Sequence, residues 1–325
     1  VLLKYDRYFK KPGWQQETWS NFVLFMKKAF LQLHLAILLA GFTGILGKLI
    51  HLNEGYLVWY RMLMSTLILL AIFIFTHTFK MPEKNEVVKL LGIGVIVSLH
   101  WVSFYGSIKY SNVSVSVTCL SAIGFFTSFI EPVINQRRID WVEVGLGILA
   151  ICGIYLIFNF YPEYKTGIIF GMISALLASI FPILNKRMLK KHTPRVLNFY
   201  EMGGGAIALC AILPVYLHFF PASYAIPTAS DWFWLFILAA FCTVWAFDLN
   251  LKALQQISAF TVNLSYNFEP VYSIVMAFII FKENQFLGAG FYAGFALILL
   301  AVSLQMVRVR KERKINERRT RVIPQ

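Results

Sequence analysis

Charge is what this sequence has least of. Only 14% of its 325 residues are Asp, Glu, Lys or Arg, and just 16 of those are acidic, where an ordinary globular domain carries about 25% charged residues. A chain so short of charge cannot clothe a water-facing surface. Cysteine is also scarce: Cys119, Cys152, Cys210 and Cys242 all fall in apolar stretches, with no CxxC and no His/Cys cluster. That pattern excludes a disulfide framework and a zinc-type site, and the four read as small packing residues. No Walker sequence is present, which excludes ATP coupling within this chain. Nothing calls for a cofactor, a metal or a catalytic residue.

What is present is apolar: 58% of the residues are hydrophobic and 30 are phenylalanine. Runs of about 20 apolar residues, enough to cross a 30 Å hydrocarbon core as helix, occur ten times, at 29–50, 57–78, 88–108, 112–132, 142–160, 166–186, 196–218, 232–252, 257–281 and 285–306. The fold class is therefore an all-α integral membrane protein, in contact with membrane lipids. Ten spans put both termini on one side. If that side is the cytoplasm, 25 of the 30 Lys and Arg lie inside and only Lys48, Lys109, Lys165 and Lys282 outside, as the positive-inside rule expects. The net charge of +14 is thus a topology signal rather than a sign of nucleic acid, and no nucleic-acid partner is expected. The location that follows is a multi-pass cytoplasmic (inner) membrane protein of bacterial type.

The segments divide as a polar N-terminal extension (1–25), two five-span halves (26–160 and 161–306) and a basic tail (307–325) that would face an anionic leaflet. Residues 1–25 read as an upstream extension before a natural start at Met26, and the first apolar run is long for a cleavable leader. The halves resemble each other: "LVWYRMLMSTLILLAI" (57–72) aligns with "LNFYEMGGGAIALCAI" (197–212), and "SVSVTCLS" (114–121) with "SAFTVNLS" (258–265), at nearly one offset. An odd number of spans per half inverts the second relative to the first. Inverted repeats recur in secondary transporters, whose sites lie near the midplane between the repeats.

The ten-span layout, Gly47-Lys48 at the end of the first span, and "FEPVYSIVMAFIIFKE" (268–283) with Pro270 and Glu283, then Gly288 and Gly290, resemble the EamA-type drug/metabolite transporter superfamily. The resemblance implies transport and leaves the substrate open, since the superfamily moves amino acids, drugs, nucleotide sugars and other metabolites. The first half departs from the pattern, with Phe126 at the repeat position of Pro270.

Polar residues inside the spans are the candidate site, because an ionisable side chain at a bilayer centre costs about 2.5–3.5 kcal/mol on insertion scales and faces a bundle interior or water. On a helical wheel Asn263, Tyr266, Asn267, Pro270 and Ser273 form one stripe of the ninth span, with Glu269 on its flank. Glu269 can carry a proton in a coupling cycle, bind a cationic group, or serve as a structural carboxyl. In the third span His100, Trp101 and Tyr105 suit a small organic substrate, or are plain core. Arg61 can hold a substrate carboxylate or pair with Glu54. Trp245 is a further lining candidate, on the face of Asp248 and Lys252, which are spaced as a helical ion pair. Glu201, ahead of Gly203–Gly205, and Lys48 are candidates for gating or coupling, with Glu269 and Pro270. For Lys48, snorkelling at the boundary is the alternative; Glu131 and Glu143 read as loop partners of Arg137 and Arg138.

The leading expectation is a secondary-active transporter exporting a small polar metabolite, an amino acid or related compound, by alternating access. A lipid scramblase or an enzyme of lipid-linked substrates is the alternative, although an enzyme needs clustered acids or metal ligands and these ionisable groups are scattered in depth. Small-residue faces such as Gly145/Gly147 and Gly288/Gly290 serve packing within the chain or in a homodimer equally well.

Overall fold

In lipid, backbone polar groups find partners only within a helix or a closed barrel, and this chain takes the helical solution. The computed structural model describes residues 15–78, 81–256, 262, 265–266 and 268–322. Among them there is no strand. The helices are α1 (Gln15–Leu49), α2 (Glu54–Thr76), α3 (Lys84–Tyr110), α4 (Val113–Cys119), α5 (Ile123–Asn135), α6 (Trp141–Phe160), α7 (Lys165–Met188), α8 (Pro194–Phe219), α9 (Ala229–Ala239), α10 (Ala246–Gln256), α11 (Phe268–Phe281) and α12 (Ala289–Val322). α4 and α5 form one span joined by a 3-10 turn at Leu120–Ala122, and α9 and α10 another joined by a π turn at Ala240–Trp245. Nine segments among the described residues are long and apolar enough to cross a membrane, and α11 is a shorter apolar helix. Part of the expected ninth span, including Asn263 and Asn267, lies outside the described residues. α1 is continuous from Gln15 to Leu49, so residues 15–25 of the stretch expected as a polar extension are helical.

Local chemistry sets the ends. Asn53, Asn112 and Asp140 cap α2, α4 and α6 through side-chain oxygens, and Thr228 with Asp231 makes a reciprocal capping box at α9, each satisfying amides that the first turn leaves open. His77, Gln136 and Lys282 take the left-handed conformation that terminates α2, α5 and α11.

The packing carries the symmetry of an inverted repeat. α3 lies against α7, and the corresponding α10 lies against α1; α5 meets α7 as α11 meets α1; α2 pairs with α8, and α6 with α12. The α6–α12 crossing runs through Gly153 and Gly294, where a Cβ on either would stand 2.5 Å from the carbonyl oxygen of the other. Only glycine permits that approach.

Candidate functional site

Between the halves lies a cavity of about 260 Å³. Its deep end is formed by Arg61, Trp101 and His100; Glu269, Tyr266 and Pro270 line its flank; Thr127, Glu131, Glu143, Asn250 and Gln305 line the other end. That second end coincides with the end of α5, the start of α6 and the far part of α12, the side of the bundle on which Arg308 reaches Asp140. The cavity thus extends toward the face that carries the termini.

Arg61 is only 2% exposed. Its Nε donates to Thr243 Oγ1 (2.7 Å), Nη1 to the Tyr105 hydroxyl (2.7 Å) and Nη2 to the Cys242 carbonyl (3.5 Å). The guanidinium lies over the Trp101 ring, 3.6 Å from its centroid. Every one of these partners is neutral, and no carboxylate among the described residues pairs with it. The expected alternative partner, Glu54, is taken by the Tyr216 hydroxyl instead. A buried cation without a counterion is costly, and its aromatic shelf returns only part of the cost.

His100 Nδ1 sits 2.9 Å from the Ser174 carbonyl and 2.8 Å from its hydroxyl. Donation to that carbonyl assigns the tautomer and leaves Nε2 as an acceptor. The ring is flanked by Phe104 and Phe181, both lining the cavity. Glu269 lines the same cavity, and no described residue forms a hydrogen bond or ion pair with it. Pro270 is buried beside it in α11.

Several expectations need correction. Tyr105 is fully buried and does not line the cavity; it stands behind Arg61 and positions it. Trp245 is 44% exposed, meets Phe241 edge-on, and is replaced on the cavity wall by Cys242 and Ala246. Trp245 is expected on the face of Asp248 and Lys252, and neither of those lines the cavity, whose wall is the stripe Cys242, Ala246, Asn250 and Leu254. Glu131 and Glu143, expected as loop partners, also line the cavity; Asn135 Nδ2 donates to Glu131 Oε1 at 3.4 Å, and Arg137 and Arg138 are exposed. Glu201 is buried away from the cavity, accepting from Asn185 Nδ2 at 3.3 Å. Asp248 and Lys252 do pair, with Arg195 4.0 Å from the same carboxylate.

Lys48 is at the opposite end of the bundle, 2.8 Å from Glu283 and over the Phe281 ring. Glu283 also accepts from Ser114 N (2.9 Å), Ser114 Oγ (2.6 Å) and Val113 N (3.2 Å) at the start of α4. Burial alone would raise this carboxyl, but the bonds from Lys48 and Ser114 outweigh it and hold it below the ordinary carboxylate range. Left-handed Lys282 turns the chain so that Glu283 reaches this junction. α1, α4 and the α11–α12 connection are thereby latched at the end away from the termini. Ser114, Thr243, Asn250 and Gln305 were missed as functional candidates; only the unpaired acceptors of Asn250 and Gln305, polar atoms in apolar runs, carried a signal.

A bundle of nine membrane-length segments and the shorter α11 among the described residues, with inverted halves, a central polar-ended cavity and a latch at one end, defines a multi-pass membrane protein of transporter type. The EamA-like transporter family matches twice, over residues 27–159 and 165–307, and the chain belongs to that family. It is 27% identical over 198 residues to an uncharacterized transporter of Archaeoglobus fulgidus, covering 60% of this chain and 68% of that one. The uncharacterized transporter YetK of Bacillus subtilis is 23% identical over 276 residues, 78% of this chain and 80% of its own. A solved crystal structure 17% identical in sequence superposes with a TM-score of 0.59, covering 88% of this chain and 98% of that chain; it supports the fold alone.

Proposed function

We propose that this membrane transporter is secondary-active and exports a small zwitterionic metabolite, an amino acid or related compound, from the cytoplasm by alternating access. The observation that carries the reading is that Arg61 and Glu269 line one cavity and neither is neutralised by a described residue. Arg61 takes the substrate carboxylate through the fork of its guanidinium, and Glu269 takes the ammonium. His100 Nε2 offers a further acceptor, and Trp101, Phe104 and Phe181 give the apolar walls that small-molecule sites use. The positive-inside bias supports termini in the cytoplasm of an inner membrane, in which case the cavity faces the cytoplasm and the Lys48–Glu283 latch seals the outside.

The test compares metabolites released into the medium by cells expressing the wild type, Glu269→Gln and Arg61→Lys at matched membrane abundance. Release of one amine- and carboxylate-bearing class by wild type, lost in both variants, is expected. Release no greater than from empty-vector cells overturns export, and equal release by wild type and variants overturns the assigned site.

A further inference from the structure

Glu201 is fully buried, and its Oε1 has no hydrogen-bond partner. Two more acceptors stand unpaired around it. Asn185 donates its Nδ2 to Glu201 Oε2 at 3.3 Å while its own Oδ1 is unsatisfied, and Asn198, one helical turn before Glu201 on α8, has an unsatisfied Oδ1. Three buried oxygens without a donor are a substantial cost, about 1–3 kcal/mol each when unmade.

Among the described residues no cation pairs with this carboxyl. α7 meets the carboxyl with Asn185, α3 meets the Glu201 backbone at Gly94, and the neighbouring Gly204, Gly205 and Asn198 of α8 meet Leu91, Met62 and Val244. Arg195 and Lys252 are engaged with Asp248, Lys191 and His192 with Glu86, and Arg61 with Thr243 and Tyr105. Lys89, Lys186 and Lys190 are exposed. Space is short as well: a Cβ on Gly94 would meet the Glu201 carbonyl, and one on Gly204 would stand 2.7 Å from Leu91 Cα.

A proton satisfies the group. On Oε1 it turns an orphan acceptor into a donor, with unpaired amide oxygens on Asn185, which bonds the same carboxyl, and on Asn198, one turn away; the proton is drawn from and returned to bulk water. Asn198 then supplies a mechanical link: its Nδ2 donates to the Val244 carbonyl at 3.4 Å, inside the π turn whose Thr243 hydroxyl and Cys242 carbonyl hold Arg61. We propose that Glu201, with Asn185 and Asn198, is a proton-binding site separate from the substrate cavity, and that its occupancy is transmitted through the π turn to the position of Arg61. The role as a coupling site rests on the transport reading; the site itself does not.

The test needs no substrate. Infrared pH titration of the full-length protein in lipid should show a protonated-carboxyl band that is lost in Glu201→Gln, persists at a shifted frequency in Glu201→Asp, and moves in Asn185→Ala. A band spectrum unchanged by Glu201→Gln overturns the site, as does loss of the band on replacing choline with sodium at fixed pH, which marks a sodium site instead. For the link, the wild type should show a pH-dependent tryptophan emission change that is absent from Trp101→Phe, Glu201→Gln and Asn198→Leu. Persistence in Asn198→Leu, or its absence from the wild type, overturns the transmission. Failure of metabolite release with the Glu201 band intact counts against export alone.

Discussion

Arg61 stacks on Trp101 while Thr243 and Tyr105 occupy two edges of its guanidinium, so the cation is fixed in direction before any anion arrives. The two residues come from different helices, α2 and α3, and neither placement is of use without the other.

Arg61→Lys should therefore abolish metabolite release although charge is kept. A lysine offers a point charge on a flexible stem, without the fork or the stacking plane. The loss of charge-assisted bonds, about 1.5–3 kcal/mol, corresponds to roughly ten- to a hundredfold or more in affinity. Release assays at matched abundance check it; wild-type release by Arg61→Lys would refute the role.

Glu283→Gln should loosen the end of the bundle away from the termini. A thiol reagent applied at that face is expected to label Val117→Cys, which is fully buried one turn below Ser114, faster in the Glu283→Gln background. The folded carboxyl lies below its ordinary range, so its stabilisation is complete above that range and disappears as pH falls through the lowered value. Faster labelling of the otherwise wild-type latch is expected only in acid, and not between neutral and mildly alkaline pH.

Thr127 lines the cavity. A small charged thiol reagent should modify Thr127→Cys from the face that carries the termini and leave it unmodified from the other face while the latch holds. Equal labelling from both faces contradicts a single accessible end.

Gly153→Leu and Gly294→Leu should each destabilise the protein, since added carbons meet a backbone carbonyl rather than a yielding side chain. Overpacking of this kind costs about 1–3 kcal/mol or more. Thermal melting in detergent is the readout, with Gly92→Leu, where open space surrounds the glycine, as the tolerated control.

Much of the architecture was legible because apolar length and charge placement are linear properties: ten runs, their near-regular spacing and the half-chain offset all survive in the string. Arg61, His100 and Glu269 were legible for the same reason, as costly groups in apolar surroundings. What escaped depends on contacts between distant segments. Glu283 joins Ser114 across 169 positions, a pairing no local pattern encodes. Trp245 shares the face of the Asp248–Lys252 pair, and no local pattern says which face of a span meets the cavity; Tyr105 has the pattern of lining because an aromatic behind a cation is spaced like one facing a cavity.

The glycine crossing of α6 and α12 bears on how the molecule can move. Each half contributes one helix to a seam interlocked backbone to backbone at Gly153 and Gly294 and tied again by Asp140 and Arg308. Such a seam behaves as a keel that resists sliding, so under the proposed alternating-access cycle the deformation would fall on the two interrupted spans, at Leu120–Ala122 and Ala240–Trp245. A bifunctional thiol crosslink between Asp140→Cys and Arg308→Cys should then be harmless to transport, whereas one between Lys48→Cys and Glu283→Cys should arrest it.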